Sequence, residues 1–295
     1  NIEIMPGVYP SFADCRSDAR PGNLFLRYLN RRYGFGLDYL GKVPDQPGDL
    51  HMFSVFVLDD PYRERAVRTG NAHTLPLRSS FDDAGVFIVR SGKEHGLSAA
   101  FKGGHNGEEH NHNDLGSYVV ALEGHATLLD PGGEVYTART FSARRYDSNV
   151  LNSFGHPVPR PNGQLQKTGA QYTARILKKE FTDDTDTVVM DISGAYDMPS
   201  LTRLERTFVF SRKGGGSLTI TDDAAFSEPG TFETALVTFD SWRAVDRNTI
   251  EAGEGASKVR VTIDTGGRPF TIESVSIDED MQVKMKPVRL GIVLS

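Results

Sequence analysis

From about residue 76 onward, short runs of apolar and β-branched residues recur between turn residues. The runs are GVFIVR, LSAAF, SYVVAL, ATLLD, YTARIL, TVVMDI, RTFVF, SLTIT, FETALVTF, KVRVTI, FTIESV and GIVLS. Glu123-Gly124, Pro131-Gly132-Gly133, Gly214-Gly215-Gly216 and Gly266-Gly267 punctuate them. Each run is too short for a helix and suits a strand. Twelve such runs, with almost no helical period among them, predict a mainly β domain over residues 76–295. The predicted form is a large antiparallel β-sandwich of two sheets.

Residues 1–75 have a different texture. In NLFLRYLNRRYG, the residues Leu24, Phe25, Tyr28 and Leu29 fall at helical spacing, and Gly34 supplies a stop. DLHMFSVFVLDDP reads as a second short helix ending before Pro61. Two short helices bury little by themselves, so this segment is expected to pack on something else. The expected division is a helical segment at 1–75 and a β domain at 76–295.

Composition narrows the function classes. The chain has 295 residues, a net charge of -6 and one cysteine, Cys15. No disulfide framework within the chain is possible. No apolar run approaches the ~20 residues of a membrane span. The acidic balance gives no global attraction to nucleic acid, so an acidic ligand needs a local basic patch. The chain starts NIEIMPGVYP, without Met and without a leader pattern, which is read as a processed or truncated start.

Six of the eight histidines fall between residues 95 and 156: His95, His105, His110, His112, His125 and His156. EEHNHNDLGSY places His110 and His112 two residues apart before a strand, and Asp130 ends a later one. A histidine pair, a carboxylate and a distant histidine can supply a tetrahedral zinc site. If SYVVAL and ATLLD pair around Glu123-Gly124, Asp130 lies opposite Tyr118. An extended chain then leaves His112 about 20 Å away. A shared site therefore requires HNHNDLG to fold back, and Asn111, Asn113, Asp114 and Gly116 tolerate such a turn. Solvated loop histidines are the alternative, and His95, His105 and His125 are read that way. An H-x-H also begins some iron sites, but the glutamate expected soon after it is missing here. No G-x-S-x-G or P-loop string is present.

HNHNDLGSYVVALEGHATLLDPGGEVYTARTFSARRY, followed by NSFGHPVPRPNGQLQ, resembles the heparinase II/III family of polysaccharide lyases, including its oligoalginate-lyase and exo-heparinase branches. The resemblance covers roughly residues 76–295, and residues 1–75, with PGVYPSFADC, look like the last helices of the (α/α) toroid that precedes the β domain in that family. It implies that His112, Asp130 and His156 bind a structural Zn²⁺, while His110 faces the substrate cleft. It implies β-elimination on a uronate-containing polysaccharide threaded between toroid and β domain. A catalytic tyrosine occupies the following loop in some branches, and either Tyr136 or Tyr146 fits. With the toroid incomplete, little activity is expected from this chain alone. A periplasmic or extracellular bacterial location is expected, and a homodimer is left open.

Residue chemistry agrees with an acidic substrate. A lyase must neutralise the uronate carboxylate before the C5 proton can leave, a form of electrostatic stabilisation. Tyrosine serves as base or acid when cationic neighbours lower its pKa. Residues 136–167 contain Arg139, Arg144, Arg145, Arg160 and Lys167 against Asp147 alone. Asn111, Arg139, Arg144 and Arg145 are therefore candidate substrate-binding residues, and His110, Tyr136 and Tyr146 candidate catalytic ones. Two other classes remain open: a non-catalytic sugar-binding or structural module with the same zinc site, and a jelly-roll metal-dependent oxygenase.

Overall fold

Each of the twelve apolar runs overlaps a strand of the computed structural model, which describes residues 3–18, 75–93 and 95–294. Sixteen strands occur among the described residues. In chain order they are β1 (Arg78–Phe81), β2 (Val86–Arg90), β3 (Ser98–Lys102), β4 (Gly104–Asn106), β5 (Tyr118–Leu122), β6 (His125–Leu128), β7 (Gly169–Phe181) and β8 (Thr185–Asp191). Then follow β9 (Leu201–Ser211), β10 (Ser217–Phe226), β11 (Phe232–Thr238), β12 (Trp242–Ala244), β13 (Thr249–Ala252), β14 (Val259–Thr262), β15 (Phe270–Ser276) and β16 (Val288–Leu294).

The strands do not divide into two large sheets as the sequence pattern predicts. They form four: β1-β2-β3-β5-β6, β10-β9-β8-β7-β4, β11-β16-β15 and β12-β13-β14. Strand pairs are antiparallel, as in the β5–β6 hairpin, where Val120 faces Leu128 across a bulge. Four strands escaped the sequence reading: β1, β4, β12 and β13. Their residues, such as RSSF, GHN and WRA, carry little apolar signal, and neighbouring strands rather than local propensity hold them extended.

The first sheet is buried on both faces, which explains why its strands read as continuous apolar runs. On one face Phe87, Val89, Phe101 and Tyr118 pack with Val188, Met190, Phe208 and Phe210. The rings of Phe101 and Phe208 stack at 4.1 Å between centroids. On the other face Ile88, Ala100, Val119 and Ala121 pack under Ile4, Met5, Val8 and Phe12. Each Val, Ile, Met or Phe side chain among them contributes roughly 1.5–3 kcal/mol when fully buried. Residues 3–18 therefore lie on the sheet as a strap, fixed also by Arg90 Nε donating to the Ile4 carbonyl at 3.0 Å. The strap holds turns and a Met5–Val8 bridge, not a helix. The two helices expected near residues 24–34 and 50–60 lie outside the described residues.

Candidate functional site

The loop between β4 and β5 makes the fold-back that the strand arithmetic demanded. His110 has φ +59° and Gly116 φ +87°, both in the left-handed region that reverses a chain. The reversed loop is anchored by Asn113 N–H donating to the Leu151 carbonyl at 3.0 Å and Leu115 N–H donating to Gln166 Oε1 at 3.0 Å. Arg206 is buried and its Nη1 donates to the Gly116 carbonyl at 2.8 Å and the Pro157 carbonyl at 2.7 Å, tying this loop to the segment after His156.

His112, Asp130 and His156 meet beneath that loop, all fully buried, with one donor atom of each within 4.8 Å of the others. Asp130 ends the strand run after β6. Its Oδ2 accepts from Ser117 Oγ at 2.6 Å and lies 2.8 Å from His156 Nδ1, and its Oδ1 accepts from Gly132 N–H at 3.2 Å. His156 follows the 3₁₀ turn Ser153–Gly155, where Asn152 caps the Phe154 N–H at 2.8 Å.

Two ring nitrogens of this group have no partner: His112 Nδ1 and His156 Nε2, both buried. Buried polar atoms are almost always satisfied, so two orphans beside one carboxylate need a reason. Two imidazoles and a carboxylate are a donor set suited to zinc. The nearby ammonium of Lys102 does not stand in for a cation, because Asp114 matches it at 2.5 Å. Burial drives His112 toward its neutral, ligating form against the pull of Asp14. Burial is the largest single influence on His156 and opposes its charge, but the charge and hydrogen bond of Asp130 together with the charge of Asp114 favour the protonated ring. A metal would therefore displace a proton there.

Asp14, on the strap, was not anticipated. Its Oδ1 lies 2.8 Å from His112 Nε2 and accepts from Arg145 Nη2 at 2.9 Å. Its Oδ2 lies 2.9 Å from His110 Nδ1 and accepts from the Tyr136 hydroxyl at 2.9 Å. Burial opposes the Asp14 charge, yet His112, His110 and Tyr136 together hold it well below the ordinary carboxylate range. A lone aspartate in a loop gives no sequence signal for this role.

The expected site residues separate accordingly. The His110 side chain is 60% exposed, and its ring stacks beside Tyr136 with Nδ1 3.1 Å from the phenol oxygen. Tyr136 does not have the lowered pKa expected from neighbouring arginines. Burial, and then its hydrogen bond to anionic Asp14, push it up to about 12. The Tyr146 hydroxyl meets Asn111, between the two histidines, donating to its carbonyl at 3.3 Å and accepting from its Nδ2 at 3.3 Å. Asn111 is only 3% exposed, with Oδ1 unpartnered.

The arginines are not free cations. Arg139 donates to buried Glu134 at 2.8 Å, Arg144 to Asp147 at 2.8 Å, Arg145 to Asp14, and Arg160 to Glu233 at 2.8 Å. Of the histidines read as solvated, His125 is exposed but meets Asp240 at 2.8 Å, and His105 Nδ1 accepts from Gly107 N–H at 3.2 Å.

Residues 73–280 match the family described as Heparinase II/III-like, C-terminal. The chain belongs to that family. It is a heparinase II/III C-terminal β domain, and members of this family are polysaccharide lyases. No curated protein matches it. A solved heparinase III structure matches with a TM-score of 0.72 at 16% identity, over 99% of this chain and 42% of that one. The heparan sulfate lyase HepC from Pedobacter heparinus matches with a TM-score of 0.68 at 15% identity, over 97% and 41%. At such identities the likeness is one of fold. The chain spans about two fifths of the length of these heparinase structures.

Proposed function

We propose that this chain is the β domain of a polysaccharide lyase that cleaves a uronate-containing polymer by β-elimination, with a zinc ion held by His112, Asp130 and His156. The observation that carries the reading is the exposed His110–Tyr136 pair, held on one carboxylate directly beside a buried, orphan-bearing His/Asp/His group, in a heparinase II/III domain. On the same reading the first two sheets, facing each other across Phe101 and Phe208, are the layers of a sandwich. The (α/α) toroid of such a lyase supplies the other wall of the cleft, while residues 3–18 lie on the β domain itself.

In the elimination a base takes the C5 proton, the C5–H electrons form a C4=C5 double bond, and the C4–O bond breaks. The leaving oxygen then takes a proton. His110, exposed at the cleft, offsets the substrate carboxylate or moves a proton at its free ring nitrogen. Tyr136 retains its proton far above neutral pH, so it suits the donor half of the step rather than the base. Held by His112, Asp130 and His156, a zinc ion would supply fixed positive charge that pins the loop. The arginines contribute mainly by holding Glu134 and Asp14 in place.

The test is incubation with alginate, heparan sulfate, hyaluronan and ulvan, with and without the proposed upstream toroid segment supplied as a second chain. The double bond is followed by its ultraviolet absorbance. The expected result is turnover of one of these polymers with both parts present and little with this chain alone. No absorbance change on any polymer, from a zinc-loaded complete protein, contradicts the lyase reading and favours a sugar-binding module.

A further inference from the structure

We infer that Asp14 is a positioning residue shared by the two halves of the site: one oxygen orients the metal ligand His112, and the other holds the exposed pair His110 and Tyr136. The inference rests on the zinc reading above and extends it to a residue outside the motif.

The geometry is specific. Imidazole has two nitrogens, and a proton fixed on one leaves the lone pair on the other. Asp14 Oδ1 lies 2.8 Å from His112 Nε2, so a proton there is hydrogen-bonded and Nδ1 carries the lone pair. Nδ1 is the orphaned nitrogen of that ring. A carboxylate on the far nitrogen of a ligating histidine fixes ring orientation and raises ligand basicity. The same carboxylate turns its second oxygen outward to His110 Nδ1 and the Tyr136 hydroxyl. Arg145 Nη2 holds the first oxygen from the side and also donates to the Asn111 carbonyl at 3.0 Å, between the two histidines.

The backbone around Asp14 is built for close approach. Gly133 N–H donates to the Cys15 carbonyl at 3.0 Å, and Ser11 Oγ donates to the Asp130 carbonyl at 2.5 Å. A Cβ on Gly133 would stand 2.9 Å from the Asp14 carbonyl, closer than real contacts allow. The strap and the Asp130 strand end are thus locked together on both sides of Asp14. The apolar anchors Ile4, Met5, Val8 and Phe12 fix the strap independently of the Asp14 side chain.

The test compares the unaltered protein with Asp14→Asn and Asp14→Glu, each checked for folding by circular dichroism. Zinc affinity is measured by chelator competition, and kcat and KM are measured in the complete enzyme. Asp14→Asn, which keeps the shape but loses the charge, should weaken zinc binding by about 10–100-fold and lower kcat more than it raises KM. Asp14→Glu, which keeps the carboxylate, should recover part of both losses. Zinc affinity unchanged in folded Asp14→Asn overturns this inference while the zinc reading stands. If the unaltered protein binds no zinc, the zinc reading fails and this inference fails with it. An Asp14→Asn that does not fold leaves Asp14→Glu to decide: affinity and kcat both equal to the unaltered protein overturn the inference, and an intermediate loss of each supports it.

Discussion

Gly132 sits directly under the carbonyl of Cys15, with φ +73° and no room for a Cβ. The site depends on this close approach, since the residue before Cys15 is Asp14 and the residue two before Gly132 is Asp130. Gly132→Ala should cost about 1–3 kcal/mol for the left-handed backbone alone, with a further loss from the clash. Denaturant unfolding of the variant measures the stability, and zinc content should fall with it. Gly124 also has positive φ, but a Cβ there would meet nothing within 4 Å, so Gly124→Ala should show the backbone cost without the zinc loss.

Acid should act through Asp14. Its folded-state pKa lies below the ordinary value, so the stability it contributes is fully present above about pH 4 and is lost as the pH falls toward the folded value. Asp130 is displaced in the same direction: burial opposes its charge, but His156, His112 and the Ser117 hydroxyl together favour it. In metal-free protein, Asp14→Asn should therefore start less stable at neutral pH and lose less on going from about pH 5 to about pH 3. Urea midpoints at the two pH values give the comparison; equal losses would remove Asp14 from the acid response.

The arginines divide by partner. Arg144 is 78% exposed and paired only with an exposed aspartate, so Arg144→Gln should stay within about 0.5 kcal/mol of the unaltered stability. Arg139→Gln and Arg145→Gln strip a partner from the side chains of Glu134 and Asp14, both nearly buried, and should each cost about 1–3 kcal/mol. Weakened retention on an acidic polysaccharide column has a simple meaning only for Arg144→Gln, where the fold is undisturbed. A stability loss in that variant as large as in the other two would contradict this division.

Sequence pattern made most of the strands legible, because apolar β-branched runs between Gly, Asp and Pro leave few other choices. Their division into four sheets was not legible. Short strands such as Gly104–Asn106 and Trp242–Ala244 exist through their neighbours' hydrogen bonds. The fold-back of HNHNDLG could be demanded from strand spacing, although the positive φ of His110 was not foreseeable. Asp14 stayed hidden because its partners lie 96 to 131 residues away and nothing local marks it. Burial first, and then that hidden residue, reversed the expectation for Tyr136. Arg139, near it in sequence, pairs with Glu134, while an anion distant in sequence accepts a hydrogen bond from the phenol.

Everything proposed for the site turns on the two histidines of HNHND having different tasks. His112 is buried with an orphaned Nδ1, and His110 is exposed on the other oxygen of Asp14. The most direct measurement is the zinc content of purified unaltered protein, His110→Ala and His112→Ala, with melting temperatures taken alongside. Zinc should remain in the first two and be lost from His112→Ala, whose melting temperature should fall because metal bound only by the native state adds to folding stability. Loss of zinc from both variants, or from neither, would contradict this division of tasks.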